Sequence, residues 1–581
     1  MSNIDQPIGH DDPRLYGSDA LAEMVRHLGL PYLALNPGSS YRGLHDSLVN
    51  HIGNRDPQML VCLHEEHAVS IAHGWAKVTG EPMGVMLHAN VGLMHASMAI
   101  YNAWCDRVPM AIYGATGPVD SAKRRPWIDW IHTSRDQAAM VRDYVKWDDQ
   151  PVSLGPTLTA MAEAHRQTRS APHGPSYVVF DVSLQETQIE TLPPLPDPAC
   201  FAPAPEPLLE IDALLDKMRA AKHPVLMMGR LGRAPKDWAN RVTLAEAVGA
   251  TVLTDIKRGA SFPTDHPAHL GPPGFFLTAD QQAALRAADL IVSFDWVDVA
   301  GTLKAAGAED VPLVQVSPES RLARGTRLDV FAPVAAELLL ETPPDPVIAA
   351  CVDELTFTPA EPPQTAPARP ALPYDPQPGP MNGARFAAAL GEGLRSQPVC
   401  LARLPLSWGG AAWHFQHPLD YLGYDGGAGI GSGPGMVIGA ALALRDAGSE
   451  RICVGVLGDG DTMMGISALW TAARYDIPCL IVVANNRSYF NDEVHQEKIA
   501  LTRGRPVENK AVGQAIADPD LDFAALARAQ GLLAFGPVTE PGTLVEALRE
   551  ALPLVQAGRP ILIDARIEPG YAPEMAEGMT D

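Results

Sequence analysis

Residues 451–486 read RICVGVLGDGDTMMGISALWTAARYDIPCLIVVANN, and this stretch decides the fold of the chain. Arg451 to Leu457 has the apolar, β-branched texture of a buried strand, the tetrad Gly458-Asp459-Gly460-Asp461 breaks it, and a helical pattern follows as far as Tyr475. A second apolar strand, Pro478 to Ala484, ends in Asn485-Asn486. A strand, a glycine turn and a helix N-terminus in that order expose backbone N–H groups suited to a phosphate, although the same turn has purely structural duties in many Rossmann-like folds. Two such strands, parallel and adjacent, would bring Asp459 and Asn486 to one sheet edge. A carboxylate, an amide oxygen and a backbone carbonyl, completed by phosphate oxygens and water, make the hard octahedral shell that Mg²⁺ prefers.

Outward from that stretch, short β-branched runs alternate with longer helical patterns along the whole chain, the arrangement that builds parallel sheets covered on both faces. Pro-rich passages at 193–207 and 359–380 read as linkers and leave three segments, 1–192, 208–345 and 381–581, each of domain size. The expected fold class is α/β, with three doubly wound parallel-sheet domains. Expected strands are 31–36, 59–64, 82–88, 108–113 and 176–182 in the first, 224–229, 250–256, 290–295 and 312–317 in the second, and 398–404, 451–457, 478–484 and 560–566 in the third.

With 581 residues, 46% apolar and 19% charged, the chain has ample core and is neither disordered nor fibrous. Its net charge of −24 repels phosphate backbones and anionic lipid, so nucleic acid and membrane surfaces are not expected partners. Seven cysteines without a CxxC motif read as reduced core thiols, and no export signal or membrane span is apparent, which together predict a cytoplasmic protein.

The GDG at 458–460 followed by NN at 485–486 resembles the thiamin diphosphate binding motif of the acetolactate synthase and benzoylformate decarboxylase superfamily. The resemblance implies thiamin diphosphate and Mg²⁺ as cofactors, with pyrimidine-binding, central and diphosphate-binding domains in that order. Carried over by position, Asp459 and Asn486 would bind the metal through side chains and Ser488 through its backbone oxygen, with Gly458 and Gly460 at the diphosphate. Asp461 stands where many relatives have a hydroxyl residue, and its role stays open.

Met59 to His64 reads as a strand running into a helix, with Glu65 on the joint. Read from the residues alone, Glu65 and Glu66 could simply complement a helix dipole. A zincin site is a poorer reading, since that pattern needs histidines four apart and His64 and His67 are three apart. The resemblance assigns Glu65 as the acid that trades a proton with the ring nitrogen of the cofactor's aminopyrimidine, which lets the exocyclic nitrogen remove the C2 proton. It also implies a bent cofactor. In GGAGIGSGPG (426–435) Ile430, the lone large apolar residue, matches the position that supports the bend, and the Ala428 carbonyl would accept the amino group. An ordinary flexible glycine loop is the alternative.

Asn36-Pro37-Gly38-Ser39 follows the first strand, and His88 closes the third at the same sheet edge as Glu65. The tract LHANVGLMHASMAIYNAW (87–104) is similar to that of benzoylformate decarboxylase, whose pocket serine and histidine Ser39 and His88 match. Ser39 would hold a carboxylate and His88 would exchange protons with the reacting adduct. Read without the resemblance, Ser39 is a turn residue and His88 the partner of a buried carbonyl. His95 departs from the Asn often found there. Trp104, Trp127, Trp130, Tyr489 and Phe490 are candidate pocket walls, and 488–516 a candidate cover over the mouth. Gly229-Arg230-Leu231-Gly232 lacks the GxGxxG spacing, so the second segment reads as structural rather than nucleotide-binding.

The expected activity is non-oxidative decarboxylation of a small 2-oxo acid. The alternatives are acetolactate synthase-like carboligation, cleavage of a 2-hydroxy ketone or 2-hydroxyacyl-CoA, and, from a different class, a non-catalytic cofactor-binding protein. In relatives the activating acid and the diphosphate site come from different subunits, so a homodimer or dimer of dimers is implied.

Overall fold

The structure is a computed structural model that describes residues 5–9, 12–203, 211–319, 335–355 and 372–571. Each of the three expected domains is built on one main sheet, parallel throughout, and the first also holds a two-stranded antiparallel pair, Leu15–Tyr16 with Gln188–Ile189. The first holds β1 (Tyr32–Leu35), β2 (Gln58–Val61), β3 (Gly84–Leu87), β4 (Met110–Thr116), β5 (Trp147–Asp149) and β6 (Pro175–Asp181) in the order β2-β1-β3-β4-β6-β5. The second holds β7 (Pro224–Met228), β8 (Thr251–Thr254), β9 (Leu290–Phe294), β10 (Leu313–Val316) and β11 (Leu338–Leu340) in the order β8-β7-β9-β10-β11. The third holds β12 (Val399–Arg403), β13 (Ile452–Gly458), β14 (Cys479–Asn485), β15 (Leu533–Val538) and β16 (Ile561–Arg566) in the order β12-β13-β14-β16-β15. The central strands β4, β9 and β14 are buried along their whole length, which is why they read as continuous apolar runs.

Three strands of these sheets, β5, β11 and β15, escape the sequence reading, as does the short antiparallel pair just described. All three lie at sheet edges. β5 is Trp-Asp-Asp, and β15 contains Gly536-Pro537, so neither carries the pattern of a buried strand. The first linker is docked over its described part, where Phe201 is buried and its ring meets those of His27 and His165 edge-on. Positions 204–207 of that linker and 359–371 of the second lie outside the described residues.

Helix α1 (Glu65–Thr79) leaves β2 and packs on helix α3 (Gly433–Asp446) of the third domain. Glycines permit the approach. A Cβ on Gly74 would stand 2.0 Å from the Met436 carbonyl oxygen, and one on Gly439 would stand 1.9 Å from that of Ile71. A single buried apolar cluster therefore runs through both domains, including Val69 and Ile71 on one side and Val437 and Ile438 on the other.

A buried charge cluster ties in the second domain. Asp106, at the end of helix α2 (Ala89–Asp106), accepts from His73 Nε2 at 2.8 Å, from Lys77 Nζ at 2.7 Å and from the Arg258 guanidinium. Burial would raise the Asp106 carboxyl, but Lys77, His73 and Arg258 overcome it and hold the group far below the usual carboxylate range. Burial pushes Lys77 down to about 8. Next to this cluster Arg107 pairs with Asp295 at 2.9 Å and with Glu319 at 3.0 Å, both at the carboxyl ends of second-domain strands. Arg233 donates to the carbonyls of Pro418 and Leu422 at 2.8 and 2.9 Å, joining the second domain to the third.

Candidate active site

β13 and β14 are parallel neighbours, with Gly458 opposite Ala484. Their register carries Asp459 and Asn486 to the same edge. The backbone N–H of Ser488 donates to Asp459 Oδ2 at 3.2 Å and to Asn486 Oδ1 at 2.9 Å, so the two oxygens converge. Arg487 takes a left-handed φ of 59°, which turns the chain back toward Asp459. Burial raises the Asp459 carboxyl to about 6, while the N–H groups of Gly460, Arg487 and Ser488 pull the other way. The ring of Tyr489 fills the space over Gly460, where an added Cβ would meet it at 2.5 Å. Phe490 stacks at a tilt on Tyr571.

The glycine-rich loop approaches this edge from β12. Ala428 is exposed with a left-handed φ of 57°, a strained state for a residue with a side chain, and Ile430 is half-buried. Asn102 of α2 braces the loop by donating to the Gly429 carbonyl at 2.9 Å and to Ser432 Oγ at 3.0 Å. Asp461 turns inward, and its Oδ1 accepts from the backbone N–H of Gly431 at 2.7 Å and of Gly433 at 3.1 Å. The fully buried Arg403 offsets it, with Asp461 Oδ2 at 4.0 Å, Asp425 at 2.7 Å and the Tyr424 ring 3.5 Å from the guanidinium carbon. Burial raises the Asp425 carboxyl to about 6 against the pull of Arg403. Nothing in the GDGD tetrad points to this arginine, which lies far away along the chain.

At the edge of the first sheet, His64 caps α1 by accepting from the Glu66 N–H at 3.1 Å, which sets Glu65 in the first turn. Glu65 is buried. Its Oε2 meets His95 Nδ1 at 3.0 Å, and the His64 and His95 rings stack with centroids 4.9 Å apart. His88 follows β3, and the next residue, Ala89, has a left-handed φ of 44°. The His88 Nδ1 lies 2.9 Å from Ser40 Oγ, and its ring lies 4.7 Å from that of His132. Burial, then His132, lowers the basicity of His88. Only glycine fits at position 38, because an added Cβ would sit 2.2 Å from the His88 Cβ.

Sequence profiles described as thiamine pyrophosphate enzyme N-terminal TPP binding domain, central domain and C-terminal TPP binding domain match residues 15–140, 211–338 and 406–565. The chain belongs to the thiamine pyrophosphate enzyme family. Among its relatives, benzoylformate decarboxylase of Pseudomonas aeruginosa is 26% identical over 570 residues, covering 93% of this chain and 97% of the relative. The acetolactate synthase large subunit of Corynebacterium glutamicum is 25% identical over 576 residues, covering 95% and 86%. In fold the chain is similar to the thiamine diphosphate-dependent 4-hydroxybenzoylformate decarboxylase of Rhodococcus jostii, with a TM-score of 0.74, 22% identity and coverage of 96% and 100%.

The residues of this thiamine pyrophosphate enzyme suit the cofactor named by its family. The convergent oxygens of Asp459 and Asn486, and the buried Asp459 carboxyl, which among the described residues has no cationic side chain paired with it, are donors of the kind that a cation accompanying a diphosphate takes. Several residues fall differently from the expectation. Ser39 is exposed, and its carbonyl accepts from Arg42 at 3.0 Å; the serine on His88 is the buried Ser40. The chain turns through a 3₁₀ segment at Ser39–Tyr41, a phase that Asn-Pro-Gly does not encode. Ser39 instead lines an open cavity of about 580 Å³ with Pro37, Gly38, Arg42 and His45. Trp104 sits at the far end of α2 against Gly174, just before β6, and so faces the opposite sheet edge from His88. Trp127 and Trp130 are 70% and 79% exposed. Residues 490–502 of the expected cover form a helix, Phe490–Thr502. Sequence reasoning missed Ser40, Asn102, His132 and Arg403, and only Asn102 offered a signal, as the polar residue of an otherwise apolar stretch near the end of α2.

Proposed function

We propose that the chain is a thiamin diphosphate- and Mg²⁺-dependent, non-oxidative decarboxylase of a small 2-oxo acid. The observation that carries this reading is the junction of β2 and α1, where a buried Glu65 is held at the same sheet edge as His88. Asp459 and Asn486 would hold the metal through side chains and Ser488 through its backbone oxygen. Gly458 and Gly460 would face the diphosphate. When bound, thiamin diphosphate supplies an electron sink for the breaking carbon–carbon bond.

Glu65 holds and returns a proton at its carboxyl oxygen, and its burial keeps water from competing for that site. Ile430 supports the bend and the Ala428 carbonyl takes an amino N–H. Ser39, on the open cavity, orients a substrate carboxylate by donating its hydroxyl. His88 is held by Ser40 and poorly basic, so it is neutral at physiological pH and able to accept or deliver one proton at the reacting carbon or oxygen. Asp461 takes no part at the diphosphate in this reading. It pins the glycine-rich loop, with Arg403 carrying the compensating charge.

Acetolactate synthase-like carboligation is the second reading, favoured by the 25% identity to such a subunit along nearly the whole chain. Incubating the holoenzyme with pyruvate, benzoylformate and a benzoin-type ketone, then identifying products, separates the two. Aldehyde and carbon dioxide alone support decarboxylation, acetolactate supports carboligation, and cleavage of the ketone supports a lyase.

The active unit in this reading is a homodimer or a dimer of dimers, with Glu65 of one subunit facing the metal loop of another. Large apolar side chains exposed on the single chain, among them Trp127, Trp130, Met94, Met464, Leu501 and Val512, supply the surface for such contact. The second domain is a structural spacer, since Arg107 and Asp295 occupy the strand ends where a nucleotide would sit. Seven free cysteines suit the cytoplasm. Among the described residues, no helix is long and apolar enough to cross a membrane.

A further inference from the structure

His95 and Glu65 meet for reasons built into two helices. Glu65 occupies the first turn of α1, fixed there by the His64 cap. His95 lies in the second turn of α2, one turn beyond Gly92, and Gly92 leaves room for the other carboxylate oxygen: a Cβ there would come within 3.1 Å of Glu65 Oε1. One oxygen thus rests over a glycine and stays open to other partners, while Oε2 is taken by His95 Nδ1 at 3.0 Å. The contrast in exposure is large, 9% for the Glu65 side chain against 59% for that of His95. The imidazole bridges a buried acid and the open side of the chain.

We propose that His95 carries protons between the open cleft and Glu65, acting through Glu65 rather than on the substrate. The inference rests on the reading of Glu65 as the acid that exchanges a proton with the cofactor. Each passage balances. Starting from neutral His95 with its proton on Nδ1, water or buffer adds a proton at Nε2 as the Nδ1 proton passes to Glu65 Oε2, leaving the neutral Nε2–H imidazole, and Glu65 releases a proton from the carboxyl group to its bound partner. Run backwards, the same path removes a proton. No electron moves and no covalent bond between heavy atoms changes.

The surroundings support a shuttle rather than a static clamp. His64 lies flat against His95 at an interplanar angle of 21°, and its Nδ1 already accepts from Glu66, so the His64 proton is on Nε2 and His64 neither donates to Glu65 through Nδ1 nor replaces His95 there. Other titratable groups acting on Glu65 are Tyr41, whose hydroxyl is turned to the Asn36 carbonyl, and His88, whose Nδ1 is committed to Ser40. His95 is the histidine that touches the carboxylate directly. A positioning residue without acid–base chemistry could hold Glu65 equally well, so the test must tell holding from carrying.

Three variants of the full chain, His95→Ala, His95→Gln and Glu65→Gln, are loaded with thiamin diphosphate and Mg²⁺. Cofactor affinity is read from tryptophan fluorescence, and exchange of the C2 proton for deuterium by acid quench and NMR. The proposal expects affinity within about threefold of the parent for both His95 variants. It expects exchange slowed at least tenfold in both, and recovered in His95→Ala as imidazole buffer is added. In the cofactor-free protein, the ¹⁵N resonances of His95 should move when Glu65 becomes Gln. Exchange at the parental rate in His95→Ala, full recovery in His95→Gln, or no response to imidazole each overturns the shuttle. Unchanged exchange in Glu65→Gln overturns the underlying assignment of Glu65 and the shuttle with it, a result separate from a failure confined to His95.

Discussion

Asp459 Oδ2 and Asn486 Oδ1 point at one and the same donor, the backbone N–H of Ser488, at 3.2 and 2.9 Å. Two acceptors sharing a single hydrogen leave lone pairs for a cation to satisfy. Replacing Asp459 by Ala is expected to weaken thiamin diphosphate binding at least tenfold in the presence of Mg²⁺. It should also abolish the loss of affinity that EDTA causes in the parent. Fluorescence titration with and without chelator checks both, and EDTA sensitivity that survives in the variant would exclude Asp459 as a ligand.

His88 is held by Ser40 and set against His132, both residues of the first domain. Replacing His88 by Ala should lower kcat on a 2-oxo acid by roughly 10²-fold or more while leaving cofactor affinity unchanged. Steady-state kinetics alongside a binding titration provide the comparison. A parallel loss of binding would mean that His88 shapes the cofactor cleft instead.

Asp106 gives a prediction for pH. Its folded-state ionisation lies far below that of an unfolded aspartate, so its pairing stabilises the fold fully above about pH 4 and the contribution fades as the pH falls through and below that value. Replacing Asp106 by Asn leaves Lys77 and Arg258 buried without their partner. The expected loss is about 3–5 kcal/mol at pH 7, together with a flatter decline in stability below about pH 4. Urea unfolding at neutral and at acidic pH measures both. Equal slopes in parent and variant would remove Asp106 from the acid response.

Gly74→Ala places a methyl group against the Met436 carbonyl, which belongs to a helix backbone and cannot rotate aside. Forced separation of α1 from α3 should cost about 1–3 kcal/mol. A fall in Tm of a few degrees, seen by calorimetry, is the expected outcome. Gly53→Ala is no suitable control, because its φ of 73° brings strain of its own; Gly155→Ala, with open space around it, should change little.

The fold was legible in the sequence wherever burial and chemistry coincide. Strands with both faces covered announced themselves as apolar runs, and GDG with NN marked the ends of two of them. Glu65 stood out because an acid at the end of an apolar strand is unusual. What stayed hidden depends on the path of the chain between distant points. β5 is Trp-Asp-Asp, β11 only three residues long and β15 broken by Gly536-Pro537, so these edge strands lack the continuous apolar run that made the edge strands β2, β8 and β12 visible. Arg403 meets Asp461 across the glycine-rich loop, a contact no local window contains. Which serine of the turn meets His88 depends on the rotation of a short 3₁₀ segment, one residue of phase that composition leaves undetermined.

Helix α2 touches Glu65 through His95, the glycine-rich loop through Asn102 and the second domain through Asp106. Over 18 residues it thereby works as a ruler with three graduations. Deleting a single residue midway between His95 and Asn102 would twist everything beyond it by about 100° and shorten it by about 1.5 Å, so that no shift of the helix could bring all three marks back into alignment. A stretch that must keep three appointments at fixed spacing tolerates exchange of side chains far better than any change in length.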